Sequence, residues 1–391
     1  MRLLGRGRPV TTAVLLAFSV VLSACGESDP GAPSDGGPAD SGAGPVDAGM
    51  DAAVDAGHDA ALPPIDAATD STTPDAGAPD AADDAGADAD IVVPPNTAPM
   101  HLSETGLYAE GSLTELADGV MAYAPRYELW SDGADKQRWL FLPEGETIDT
   151  SDIDAFVFPV GTKAWKEFSH DGVKLETRLL WKTSAGWVLI AYAWNEAQDD
   201  AVAVPRGAKD VLGTDHDIPQ RINCRECHDG AADTLLGIGA IQLAHSGSGL
   251  TLAQLEADGR LSDAPPAGIE RPDTLEWNAL GYLHANCGTC HNPIGGGWDR
   301  VAGLELWLRV EDLDAVTSTP IYETTVDVAT MQTSGDDTAR VEPGHSEDSA
   351  LITRMKLRDD EEAMPPIASE FIDDAGIGLV EDWIDSLPPT P

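Results

Sequence analysis

The sequence predicts an α+β protein in which an all-β sandwich or barrel-like module precedes a mainly α-helical domain. Alternating apolar and polar residues with turn signals dominate the region before residue 217, which favours strands. Apolar residues at helical spacing follow after about residue 271. The segments before residue 98 have the composition of export and linker sequences rather than of a core.

The N-terminus is predicted to be a bacterial lipoprotein signal over residues 1–25. Three arginines precede an apolar run from Val10 to Leu22, which is too short to span a membrane. The run ends at Leu22-Ser23-Ala24-Cys25, which looks like a lipobox, in which the Cys25 thiol would carry the lipid. An ordinary secretory signal with a chance cysteine is the alternative. We expect an exported protein, anchored by lipid to the inner or outer membrane and facing the periplasm or the cell surface.

Residues 26–97 are predicted to form a disordered tether. The segment is rich in Ala, Asp, Gly and Pro, and holds sixteen acidic residues with no Lys or Arg. Such a composition buries too little apolar surface to offset the entropy of ordering the chain. The remaining residues are also acidic, with twenty basic against fifty-two acidic side chains. This charge repels nucleic acid, so no nucleic-acid partner is expected.

Residues 98–217 are predicted to form the β module. The predicted strands are Gln137–Leu142, Ala155–Phe168, Val173–Lys182 and Trp187–Asn195. Pro159 and Gly161 interrupt the second strand, and Thr183-Ser184-Ala185-Gly186 predicts a hairpin between the last two. Six tryptophans on or near these strands are expected to be mainly core residues.

Four of the five cysteines form two identical patterns, Cys224-Arg225-Glu226-Cys227-His228 and Cys287-Gly288-Thr289-Cys290-His291. Cys-x-x-Cys-His is the attachment pattern of haem c. Its two thiols can add to the two vinyl groups of one haem, and the following histidine can ligate the iron. The sequence therefore predicts two covalent haems c, with Cys224, Cys227 and His228 holding the first and Cys287, Cys290 and His291 holding the second.

Zinc binding, disulfide formation and thioredoxin-like redox chemistry are three alternative roles for these cysteines. A Cys₄ zinc site or two disulfides would use the same pairs, but neither explains a histidine directly after each. A thioredoxin-like redox motif requires a βαβ neighbourhood, which neither flank shows.

The distal iron ligand of the second haem is predicted to be Met364, in the sequence Ala363-Met364-Pro365-Pro366. A methionine in a proline-braced loop before a final helix is how small c-type cytochromes present their distal sulfur. A core methionine filling a gap is the alternative. His/Met ligation would raise the reduction potential relative to bis-His ligation.

The distal ligand of the first haem is left open. Met355, on a helix predicted over 346–357, is one candidate, although it is also a good core residue. The other candidates are Met331, His245 and His284. A five-coordinate first haem would change the chemistry to ligand binding or peroxidase-like turnover.

The region after residue 217 divides into a first haem segment, 218–270, and a cytochrome c-like domain with the second haem, 271–391. Asp273 or Thr274 can cap a helix that leads into the second motif. A final amphipathic helix carries an apolar stripe that includes Ile377, Val380 and Trp383, and two prolines end it.

The chain resembles a family of bacterial envelope dihaem c-type cytochromes that have an N-terminal β module. The matching residues are 102–107 (LSETGL), 129–134 (LWSDGA), 158–162 (FPVGT), 176–180 (ETRLL), 224–228 (CRECH), 236–237 (LG), 282–287 (YLHANC) and 364–366 (MPP). The C-terminal half also looks like cytochrome modules appended to pyrroloquinoline-quinone sugar dehydrogenases. The resemblance implies two haems c but no substrate, and the acidic tether is not part of the family pattern.

Electron transfer between redox partner proteins is the function that these features favour. The sequence contains no acid–base or nucleophile constellation that would indicate an enzyme. A dihaem peroxidase or oxidase is the alternative, and a third interpretation makes the β module a docking unit for a carbohydrate or protein. The sequence names neither the donor nor the acceptor.

Overall fold

Six antiparallel strands form one sheet in the computed structural model, which describes residues 97–298, 300–301, 303–330, 338–358, 360–367 and 369–389. The strands are β1 (Val120–Ala122), β2 (Asp135–Phe141), β3 (Lys163–His170), β4 (Val173–Thr183), β5 (Gly186–Trp194) and β6 (Ala201–Ala203). Each strand pairs with its sequence neighbours, so the sheet is a simple meander. The predicted signal, Cys25 and the tether lie outside the described residues, except for Thr97.

Seven helices accompany the sheet in the described part of the chain. They are α1 (Cys224–His228), α2 (Ala240–Leu243), α3 (Leu252–Ala257), α4 (Leu275–Asn286), α5 (Pro320–Thr325), α6 (Ala350–Met355) and α7 (Asp374–Ser386). Short 3₁₀ turns span Leu102–Glu104, Val211–Gly213, Arg221–Asn223, Val310–Asp312, Val316–Ser318 and Ser346–Asp348. The mixed α+β class predicted from the sequence is confirmed. Within these residues, no helix has the length and apolarity needed to cross a membrane.

The sheet is buried on both faces, but by different partners. One face carries a core that includes Trp165 and Tyr192, and the segment after residue 97 packs on it. Thr105 in that segment accepts a hydrogen bond from the Trp165 indole at 3.1 Å. On the other face, Leu140 and Leu180 share a core with residues of the helices, such as Leu280. The sheet and the helices are therefore joined by one hydrophobic core.

The predicted sandwich or barrel is wrong in its finer form, because the described residues contain a single open sheet. Its two faces are covered by irregular chain and by helices, so a second sheet is not needed to bury them. The first half of the predicted strand Ala155–Phe168 is also wrong, and β3 begins only at Lys163. Phe156 and Phe158 are buried core residues in a loop, which explains their strand-like apolar pattern. The hairpin at Thr183–Gly186 is confirmed, since these two residues pair directly.

Helices α4 and α7, the first and last helices of the predicted C-terminal domain, pack against each other. Asp373 links them: one carboxylate oxygen caps α7 through the Gly376 N–H at 2.9 Å, and the other accepts from the Tyr282 hydroxyl at 3.1 Å. Gly376 allows the close approach, because a Cβ there would lie 2.3 Å from the Tyr282 ring. This pair places the second Cys-x-x-Cys-His motif directly after α4. The helix predicted over 346–357 is shorter, and α6 covers only its middle.

Candidate haem-binding site

The two Cys-x-x-Cys-His motifs lie against each other, although about sixty residues separate them in the sequence. The first motif forms the short helix α1, and the second follows the end of α4. The Asn292 side-chain amide donates to the carbonyl of Gly230 at 3.0 Å and to that of Gly288 at 2.7 Å, which ties the two motifs together. Gly230 is required for this contact, because a Cβ there would lie 1.8 Å from the Thr289 carbonyl oxygen.

The four motif cysteines are free thiols. Cys227 and Cys290 face each other closely enough for a hydrogen bond between them, which raises the pKa of Cys227 and lowers that of Cys290. Burial raises the pKa of Cys287 to about 12. Among the described residues, only the exposed side chains of His345, Glu347 and Asp348 place three potential metal-ligand atoms within 4.8 Å of one another. No three of the motif cysteines do so. The four sulfurs therefore do not have the geometry of a zinc site.

The imidazole of His228 has the protonation state that an iron ligand requires. Its Nδ1 lies 2.7 Å from the carbonyl oxygen of Thr234, which can only accept, so Nδ1 carries the proton and Nε2 keeps its lone pair. Burial lowers the pKa of His228 to about 4, so the ring is neutral at pH 7. Thr234 has a positive φ of 65°, a costly conformation for a non-glycine residue.

Asp233 holds the loop that presents the Thr234 carbonyl. Its carboxylate accepts hydrogen bonds from the Lys182 ammonium at 2.7 Å and the Trp187 indole at 2.9 Å, and so fixes the loop to β4 and β5. The backbone N–H of Phe158 donates to the same carboxylate at 2.6 Å. The sheet therefore sets the orientation of the first motif's histidine.

His291 of the second motif is buried, and burial lowers its pKa to about 4. Its backbone carbonyl accepts from the Leu306 N–H at 2.7 Å, which fixes the residue in place. Its Nδ1 has no hydrogen-bond partner among the described residues, which is rare for a buried polar atom. Gly297 permits this packing, since a Cβ there would lie 3.1 Å from Nδ1. A buried neutral imidazole with an unpartnered nitrogen fits a residue whose partner is not a protein atom.

Both motifs line one cavity of about 1880 Å³ between the sheet and the helices. A site for a single drug-sized ligand is typically about 300–1,000 Å³, so this volume suits more than one large ligand. Its lining includes the apolar side chains Leu180, Leu235 and Leu306. The histidines and methionines on its wall are His216, His228, His284, His291, Met355 and Met364.

Both predicted methionine candidates in the described region reach this cavity. Met364 is half-buried, and its N–H donates to the Arg354 carbonyl at 3.0 Å, which holds its loop against the end of α6. Met355, at the end of α6, is buried in the shared core and also contacts the cavity. Helix α6 packs on α7, and α7 packs on α4, the helix that leads into the second motif, so Met355 and the loop held against α6 belong to this side of the molecule.

The remaining sequence candidates are less suited to iron ligation. Nδ1 of His284 accepts from the Leu308 N–H at 3.1 Å, so the proton of the neutral ring is on Nε2 and neither nitrogen offers a lone pair. His245 lies away from the cavity, and both of its ring nitrogens have backbone partners. Met331 lies outside the described residues.

Sequence reasoning missed the cavity residues Arg138, Lys166, Arg178, His216 and Asp233, and also Thr234, whose carbonyl binds the His228 ring. They come from separate strands and loops, and no local motif marks them. One general argument could have located them: a sheet with two apolar faces must pack against the helical part of the chain through one face.

The donor set fits haem c on three counts. Each motif offers two thiols and one neutral buried imidazole, two methionine sulfurs share the cavity, and the wall is largely apolar. No family model, curated protein or solved structure gives a significant match to this chain.

Proposed function

We propose that this protein is a dihaem c-type cytochrome that transfers electrons in the bacterial cell envelope. The observation that carries the proposal is the convergence of both Cys-x-x-Cys-His motifs on one cavity. A zinc or disulfide role would use the thiols alone, whereas this arrangement also brings in both histidines in neutral form. Each bound haem would supply reversible one-electron exchange at its iron.

The residues of the chain then have distinct tasks. Cys224 and Cys227 would hold the first haem by thioether bonds, and Cys287 and Cys290 would hold the second. His228 and His291 would be the proximal ligands. The Thr234 carbonyl orients the His228 ring and increases its basicity by accepting a hydrogen bond from its Nδ1–H.

Met364 is the proposed distal ligand of the second haem. Its loop is bound to α6 through Arg354, and α6 packs on α7, which packs on the helix leading into the second motif. Met355 has the same access to the cavity but is embedded in the core, which supports a packing role. The pair formed by α4 and α7, followed directly by the second motif, supports a cytochrome c-like arrangement of this part of the chain.

The proposed location, at a membrane of the cell envelope, is supported by the sequence of the N-terminal segment. Cys25 is the proposed lipid attachment site, and residues 26–97 the tether that lets the haem domain stand away from the membrane. The cavity wall is largely apolar, which suits electron transfer more than turnover of a polar substrate.

Two measurements test the function. Electrochemical titration of the holoprotein is expected to resolve two one-electron steps. Stopped-flow mixing of the reduced protein with hexaammineruthenium(III) should give fast oxidation that slows with salt, because the chain has a net charge of −45. A protein that is reoxidised by no small acceptor, or that turns over peroxide rapidly, would contradict electron transfer as its role.

A further inference from the structure

Three basic side chains form a continuous row across the cavity face of the sheet. Arg138 on β2 is directly opposite Lys166 on β3, and Lys166 is directly opposite Arg178 on β4. The next row on the same face is apolar and consists of Leu140, Ala164, Leu180 and Leu189. All three basic residues line the cavity that contains the haem motifs.

Like charges directly opposite one another destabilise a sheet, so the row needs compensation. Arg138 pairs with Glu128 at 3.2 Å. Arg178 makes a two-point contact with the buried carboxylate of Glu176, at 2.5 and 3.0 Å, and His216 approaches the same carboxylate at 3.0 Å. These contacts account for the two arginines.

Lys166, the middle residue, has no ion pair with a carboxylate among the described residues. Its Nζ lies over the aromatic ring of Phe168, 4.7 Å from the ring centroid. Burial, followed by the charges of Arg138 and Arg178, lowers the pKa of Lys166 well below its ordinary value. A half-buried ammonium between two guanidinium groups is unfavourable unless an anion lies beside it. The chain is otherwise strongly acidic, so this basic row is a local exception.

The row faces the first Cys-x-x-Cys-His motif rather than the second. Lys182 is on the same face of β4 as Arg178, and its ammonium binds Asp233, in the loop that follows the first motif, at 2.7 Å. The turn Arg221–Asn223, which directly precedes the first motif, packs on β5. Any anion held by the row would therefore lie next to whatever the first motif binds.

We propose that Arg138, Lys166 and Arg178 form the binding site for the propionate carboxylates of the first haem. This inference rests on the proposed haem attachment. Haem carries two propionates, and ammonium and guanidinium groups bind carboxylates through charge-assisted hydrogen bonds. The sheet is thus the polar wall of the first haem site, and Lys166 is the member of the row whose charge the propionates balance.

The test uses Lys166→Met in the holoprotein, with Lys163→Met as its matched control. Lys163 is on the same strand and is also half-buried, but it lies on the opposite face and donates to the Thr105 carbonyl at 2.7 Å. We expect K166M to retain two haems and to lower the midpoint potential of one of them, because losing a positive charge near the iron favours the oxidised state. The other potential, and both potentials of K163M, should match the wild type. K166R should restore the wild-type value.

Each contrary outcome has a defined meaning. Unchanged potentials in K166M, with equal or greater thermal stability, would show that no haem carboxylate meets Lys166 and would overturn the inference. The inference would also be overturned if the midpoint potentials of K166M and wild type differed only after addition of succinate. The row would then bind a free carboxylate and not a haem propionate. Failure of K166M, but not K166R, to accumulate as holoprotein would support the required charge. Wild-type protein that contains no haem would refute the proposed function itself. Haem quantification therefore distinguishes failure of the proposed function from failure of this inference.

Discussion

The carbonyl oxygen of Thr234 lies 2.7 Å from Nδ1 of His228, the residue six positions earlier in the chain. This contact fixes the ring tautomer and leaves Nε2 free to bind a metal. It depends on a loop with a left-handed residue at Thr234, which Asp233 fastens to two strands of the sheet. The orientation of the His228 ring, the proposed proximal ligand, is therefore determined by the β region.

Asp233→Ala should weaken both the fold and the first haem site. It leaves the ammonium of Lys182 without its carboxylate and the Trp187 indole without its acceptor, a loss of about 2–4 kcal/mol for partly buried groups. Denaturant unfolding and the midpoint potentials of the holoprotein check this. Asp229→Ala is the control, since Asp229 is exposed in the same loop. Equal stability of the two variants would show that Asp233 does not secure the loop.

Gly230→Ala should separate the two motifs. The added Cβ would lie 1.8 Å from the Thr289 carbonyl oxygen, so the backbone must move, at a cost of about 3 kcal/mol or more. Gly239→Ala is the control, because a Cβ there meets nothing within 4 Å. Thermal unfolding of both holoproteins measures the difference. A G230A protein as stable as G239A, with unchanged potentials, would contradict the close packing of the motifs.

Met364→Leu should remove the proposed thioether ligand of one haem while keeping an apolar side chain of similar size. We expect loss of the weak sulfur-to-iron absorption band of the oxidised protein and a fall in one midpoint potential. The control is Met121→Leu, because Met121 packs on the shared core but does not line the cavity. If the band survives in M364L and disappears in Met355→Leu, Met355 is the ligand instead.

Asp154→Asn should stabilise the protein at pH 7 and flatten its pH dependence. Burial raises the pKa of Asp154 from 3.8 to about 6, although the Val310 N–H donates to it and opposes the shift. Between these values the folded state binds more protons than the unfolded state, so stability falls as pH rises from about 4 to about 6. At pH 7 the cost is complete, about 1–2 kcal/mol after allowance for partial exposure.

Chemical unfolding at pH 4, 5, 6 and 7 measures this effect. The wild type should lose stability relative to D154N across that range, and the difference should level off above pH 6. Asp118→Asn is the control, because Asp118 is exposed and is not one of the charged groups beside Asp154. A D154N protein whose stability relative to wild type stays constant from pH 4 to pH 7 would refute the shift.

Local features were predictable from the sequence, and features set by long-range packing were not. The two Cys-x-x-Cys-His motifs and the start of α4 after Thr274 depend on neighbouring residues, as does the Thr183–Gly186 hairpin, although the Thr274 side chain makes no capping hydrogen bond. The contact between Gly230 and Thr289 joins segments that share no periodic pattern. The Arg138–Lys166–Arg178 row exists only because of the register of the three strands, which no local sequence pattern reveals.

The error at Ala155–Phe168 has the same origin. Phe156 and Phe158 are buried without belonging to a strand, and the N–H of Phe158 donates to the Asp233 carboxylate rather than to a ladder partner. Apolar alternation reports burial, and here burial comes from a loop packed on the core. The short strands β1 and β6, three residues each, are too brief to leave any pattern.

The most direct test of the central claim is a pyridine haemochrome assay combined with intact mass, on mature protein from a host able to assemble cytochromes c. The account predicts two haems per chain with a c-type spectrum, and a mass increased by two covalent haem groups. Cys224→Ser with Cys227→Ser should lose one haem, and Cys287→Ser with Cys290→Ser should lose the other. A colourless protein of unmodified mass, with its four motif thiols free, in disulfides or bound to zinc, would contradict the account.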